Sequence, residues 1–67
     1  MKTAKLKDKF KQDIESAEYT YNGHFLERGV IYTVLSEHSA VIIYPLILQH
    51  PDFKNILLVN PEAVDIF

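Results

Sequence analysis

Phe25 to Leu48, FLERGVIYTVLSEHSAVIIYPLIL, is the only long block of β-branched and aromatic residues in the chain. Val30-Ile31-Tyr32-Thr33-Val34-Leu35 follows Gly29, and such a run fits a pleated, half-buried strand. Ser36, Glu37, His38 and Ser39 then make a polar break short enough for a hairpin connection. The next run, Ala40 to Leu48, is apolar throughout. Its length alone also allows a buried helix. The β-branched succession Val41-Ile42-Ile43, closed by Tyr44, and Pro45, which breaks helix interiors, favour a second strand. Pro45 lacks a ladder donor, so that strand is expected at an edge, bent or bulged there.

Neither run alternates cleanly. Val30, Tyr32 and Val34 share one face while Ile31 and Leu35 take the other, and residues 41–48 are apolar on both. A sheet with one wet face is not written this way. A helix, closure into a barrel, or another copy of the chain is expected to cover the second face.

Working outward, the whole chain of 67 residues bounds the answer to one small domain, 1–67. A domain this size buries only about 60% of its unfolded surface, so small folds usually add disulfides, a metal or a partner chain. There is no cysteine, which excludes disulfides and cysteine-based zinc or iron–sulfur sites, and self-association as a homodimer gains weight. No apolar run approaches the roughly 20 residues of a membrane helix, and no apolar stretch follows the first lysines as a signal peptide requires. A cytoplasmic protein is expected. Charge is unevenly spread: residues 1–11 carry five lysines against Asp8, a net +4, and residues 12–67 carry Arg28 and Lys54 against eight acids, a net −6. Such asymmetry points to an electrostatic partnership.

Leu6, Phe10, Ile14 and Ala17 recur at helical spacing, with Thr3 placed as an N-cap. The spacing predicts an amphipathic helix over about 4–17, within an N-terminal segment 1–17 that packs on the rest, 18–67. Its charges oppose the helix dipole, lysines at the N-terminal end and Asp13, Glu15 and Glu18 toward the other, so the apolar stripe must hold it. Asn22-Gly23, between Tyr19-Thr20-Tyr21 and His24-Phe25, favours a type I′ hairpin turn. Residues 49–54 read as a turn, Asn55–Val59 as a strand, Asn60-Pro61-Glu62-Ala63 as a capped helical turn, and 64–67 as a closing strand.

In that layout, residues 24–67 resemble the SH3-like small β-barrel. Phe25-x-x-x-Gly29-x-x-x-x-Val34-Leu35 is similar to that fold's diverging turn and second strand, and Val59-Asn60-Pro61-Glu62-Ala63-Val64-Asp65-Ile66 to its strand, single 3₁₀ turn and final strand. It also looks like the short SH3-like proteins of Gram-positive bacteria and their phages, which carry a similar F-L-x-x-G-x-x-Y-x-V-L segment. The ALYDY-type opening and paired tryptophan of eukaryotic SH3 domains are missing, so proline-rich peptide binding does not carry over. Fold alone supplies no function. The expected architecture is α+β: the N-terminal amphipathic helix on an SH3-like β-barrel or strongly bent five-stranded antiparallel sheet. Its core would be Leu6, Phe10, Ile14, Phe25, Val30, Tyr32, Val34, Val41, Ile43, Leu57, Val59, Val64 and Ile66.

Chemistry is sparse. His24, His38 and His50 stand at no metal-ligand spacing, and the serines lack a nucleophile elbow. Gly23 and Gly29, the only glycines, cannot make a phosphate loop. The chain is therefore read as a non-enzyme without cofactor or metal. Tyrosines and lysines on a small barrel can serve nucleic acid, yet the lysines lie in residues 1–11 and the remainder is acidic. A weak apolar stripe argues against membrane anchoring. The favoured function is a protein–protein interaction or regulatory module, bacterial or phage-encoded. The alternative is a small nucleic-acid-binding protein led by its lysine-rich helix. Contacts to a partner are expected from Tyr19, Tyr21 and Tyr44, with Lys5 and Lys9 from the basic segment.

Overall fold

Thr3-Ala4-Lys5-Leu6 forms the first strand, β1, with Ala4 and Leu6 buried and Thr3 and Lys5 turned the other way. Four more follow in a computed structural model that describes residues 2–67: β2 (Tyr32–Ser36), β3 (Leu46–Gln49), β4 (Ile56–Val59) and β5 (Val64–Ile66). All pairings are antiparallel, in the order β4-β3-β2-β1-β5. Short 3₁₀ segments at Asp13–Tyr19, Tyr21–Gly23 and Pro61–Ala63 are the only helical pieces among the described residues.

The expected helix-on-barrel arrangement is overturned: no helix over 4–17 forms. Residues 3–6 alternate at period two as well as fitting a helical stripe, and as a strand they gain two partners. Ala4 lies opposite Tyr32 in β2 and Ile66 in β5, and Leu6 opposite Val64. A helix there would have fought its own charges. Lys7 onward turns, with the Phe10 N–H donating to the Lys7 carbonyl, and the chain resumes as 3₁₀ at Asp13. Leu6 and Phe10 are buried as the stripe requires, but Ile14 is 59% exposed.

The apolar block divides differently from expectation. Residues 41–44 are a turn, and β3 begins only after Pro45. The strand sits between β2 and β4 rather than at an edge, and the ladder irregularity falls in β2, between Val34 and Ser36. The buried residues are consequently Leu46 and Leu48, not Val41 and Ile43, and Leu26 rather than Phe25. With Ala4, Leu6, Phe10, Tyr32, Val59, Ala63 and Val64 they make one core. Ile66 stays exposed at the β5 edge.

Asn22 and Gly23 take positive φ (64° and 70°), as the sequence pair demands, yet their flanks do not pair into a hairpin. Thr20 instead bridges Val59, and the Asn60 N–H donates to the Tyr19 carbonyl at 2.7 Å. This contact follows from the topology. β4 and β5 are the two sheet edges, yet only residues 60–63 join them. A link that is mostly 3₁₀ reaches roughly 13 Å, while five flat strands would hold their edges about 19 Å apart. The sheet must curl, and the loop before β2 fills the gap. Pro61–Ala63 forms as the sequence predicts, its cap Asn60 accepting the Glu62 N–H at 2.9 Å.

Candidate interaction site

Residues 7–31, which join β1 to β2, are far longer than ordinary connections and carry two of the 3₁₀ segments. Buried hydroxyls hold this one. The Ser16 Oγ donates to the Asp13 carbonyl and accepts the Leu26 N–H, both at 2.7 Å. The Thr20 hydroxyl lies against the Ala17 and His24 carbonyls. Arg28 donates from its backbone to the Asp13 carboxylate (3.1 Å) and from its guanidinium to the Lys11 carbonyl (2.7 Å). The Glu27 N–H donates to the Tyr32 phenol at 2.8 Å. Burial, with the Glu27 and Asp13 charges adding to it, pushes that phenol above its ordinary 10.0 despite the opposing hydrogen bond.

Thr20 is extended and buried; of its neighbours, Tyr19 packs against the edge of the core and Tyr21 is exposed. Each finds an aromatic neighbour. Tyr19 meets Phe10 edge to face at 5.4 Å between centroids, and Tyr21 meets Tyr44 at 6.1 Å. Asn60 stands between the pairs: its N–H holds the Tyr19 carbonyl, and its side-chain amide donates to the Ile43 carbonyl at 3.1 Å.

Residues 39–45 carry the second pair. The Ser39 Oγ donates to the Tyr44 carbonyl (2.6 Å), with the Val41 carbonyl 3.1 Å away, and accepts the Val41 N–H (3.1 Å). Backbone bonds from Ser39 to Pro45 and from Tyr44 to Val41, 3.0 Å each, close the turn. This frame holds Ile42 and Ile43 out in solvent, 89% and 62% exposed. On the other side of Asn60, Lys9, Phe10, Glu15, Glu18 and Tyr19 line a shallow cleft of about 460 Å³.

Of the residues expected to meet a partner, the fold thus brings Tyr21 to Tyr44 and Lys9 to Tyr19. Lys5 stands apart, on β1 opposite Asp65 of β5. Phe10, Ile42, Ile43 and Asn60 were not legible as site residues. One signal pointed to the isoleucines: an apolar run of nine exceeds the usual strand of 5–6 residues, and Ser39 and Pro45 bracket the surplus.

The histidines separate. His24 and His38 are exposed. His50 is largely enclosed, its ring edge-on to Tyr32 at 5.5 Å and tilted against Phe53 at 4.7 Å. Its Nδ1 accepts the Asp52 N–H at 3.0 Å, and Nε2 lies 2.7 Å from the Glu27 carboxylate. Among the described residues no three His, Asp or Glu side chains gather as a metal site, and no helix is long and apolar enough to cross a membrane. No protein-family model, curated protein or solved structure matches the chain.

Proposed function

We propose that this chain is a non-enzymatic interaction module that docks a protein partner on the ledge formed by Ile42, Ile43, Tyr21 and Tyr44. The observation that carries this reading is the pair of isoleucines held in water by a hydrogen-bonded frame. Burying an isoleucine is worth about 1.5–3 kcal/mol. A loose loop would gain some of that by folding the side chains onto the sheet, whereas this loop keeps both available to another surface. Aromatic residues beside such aliphatic anchors are what interface centres favour. The likeness of residues 24–67 to SH3-like proteins is likewise our proposal, supported by the 3₁₀ turn at Pro61–Ala63 that joins β4 to β5.

The route to nucleic acid through a lysine-rich helix loses its vehicle, since residues 3–6 are a strand. Lys2 is paired with Glu37 at 2.9 Å and Lys9 lies over its own aromatic neighbours. The test is capture from a bacterial lysate, with and without nuclease, on the wild-type chain and on a folded Ile42→Asp variant. A protein retained by wild type in both lysates and lost by Ile42→Asp is expected. Retention that disappears with nuclease, or is untouched by Ile42→Asp, overturns the proposal.

A further inference from the structure

The Lys9 ammonium sits 5.2 Å from the Phe10 ring centroid and 5.6 Å from that of Tyr19. The rings stand at 77° to each other, so a cation in the angle between them meets both. Glu15 and Glu18 line the same cleft. The Glu15 carboxylate is fixed there, accepting the N–H groups of Lys11 (3.1 Å) and Gln12 (3.2 Å). Aromatic rings attract a cation through their quadrupole, and carboxylates attract it by charge. The chain's own ammonium shows that the notch accepts a positive group.

Lysine is nonetheless a poor permanent occupant. Lys9 is solvent-exposed on a flexible stem, and a compact ammonium keeps its hydration. A guanidinium is planar, more weakly hydrated, stacks on rings and forks onto carboxylates. We infer that the Phe10–Tyr19 notch is a subsite for an arginine side chain of the protein partner, with Lys9 as an internal placeholder that the arginine displaces. This rests on the docking reading and supplies the partner's chemistry: an extended segment bearing an arginine beside its apolar anchor. The geometry joins the two halves, because Asn60 binds the Tyr19 carbonyl on the notch side and the Ile43 carbonyl on the ledge side. The net −6 of residues 12–67 suits a basic segment.

The test is an NMR titration of the full chain with N-acetyl-arginine methylamide, against the uncharged N-acetyl-citrulline methylamide. Arginine is expected to shift the Phe10 and Tyr19 ring signals, and citrulline to leave them. Lys9→Met, which keeps the stem and removes the competing charge, should tighten arginine binding roughly two- to fivefold, the worth of one exposed cation–π contact. Glu18→Gln should weaken it. Equal shifts with citrulline, or no response to arginine in both wild type and Lys9→Met, overturn the inference. A captured partner whose affinity ignores both Glu18→Gln and Tyr19→Leu overturns the notch while the ledge stands. Failure of the ledge itself shows instead as retention by Ile42→Asp.

Discussion

The Asn60 side-chain amide donates to the Ile43 carbonyl while its oxygen caps the turn at Glu62, so one residue joins the last 3₁₀ segment to the exposed loop. Asn60→Ala removes both contacts and is expected to cost about 1–2 kcal/mol, the sum of a lost cap and a net hydrogen bond. Its Tyr44 and Ile43 amides should exchange with solvent faster than in wild type, while those of β2 and β3 keep their relative order. Urea unfolding and hydrogen exchange read both effects.

Ser16 is fully buried and serves the Asp13 carbonyl and the Leu26 N–H at once. Ser16→Ala strands both groups, a loss of roughly 2–3 kcal/mol by the cost of unsatisfied buried groups. The unfolding midpoint in denaturant should fall accordingly. A change under about 0.5 kcal/mol, ordinary for an exposed position, would show that the 7–31 loop is not held there.

Leu6 and Ile14 discriminate the strand from the helix that their spacing favours. On a helical stripe both would be core. In the fold Leu6 is buried and Ile14 is 59% exposed. Leu6→Ala is therefore expected to cost about 2–5 kcal/mol and Ile14→Ala within about 0.5 kcal/mol, measured by thermal or urea unfolding. Equal losses would restore the helix.

The Tyr32 phenol is held above its ordinary 10.0, chiefly by burial. A raised folded value means the fold favours the neutral form. That contribution is fully present below the unfolded value of 10.0 and is lost as pH rises through the folded one. The unfolding midpoint should drop as pH climbs above 10.0. Tyr32→Phe, weaker by about 1 kcal/mol for its lost hydrogen bond, should drop less steeply over that range.

Local chemistry was legible wherever one residue dictates its own backbone. Asn22-Gly23 takes positive φ, Asn60 caps, Pro61 opens the turn, and β4 and β5 lie where the apolar residues place them. What escaped was partnership. Nothing in Asn22-Gly23 says that Tyr19 and Thr20 will pair with residues 59 and 60 instead of closing a hairpin. In the N-terminal segment two periods coexist. Leu6, Phe10 and Ile14 recur every four residues, while Lys5, Lys7, Lys9 and Lys11 recur every second one, the strand period. Ala4 hid the strand because alanine carries little apolar signal, yet it is completely buried between β2 and β5. The site followed the same rule: tyrosines could be named, but not which ring would meet which, nor that Ile42 and Ile43 would be left in solvent.

The most direct test of the docking ledge is site-specific photocrosslinking in cells, with a photoreactive residue placed in turn at positions 42, 21 and 65. Position 65 is exposed on β5 and lies outside the ledge. The ledge predicts that positions 42 and 21 capture the same partner protein and position 65 does not. Crosslinks of equal strength from position 65, to nucleic acid, or only to a second copy of the chain would contradict it.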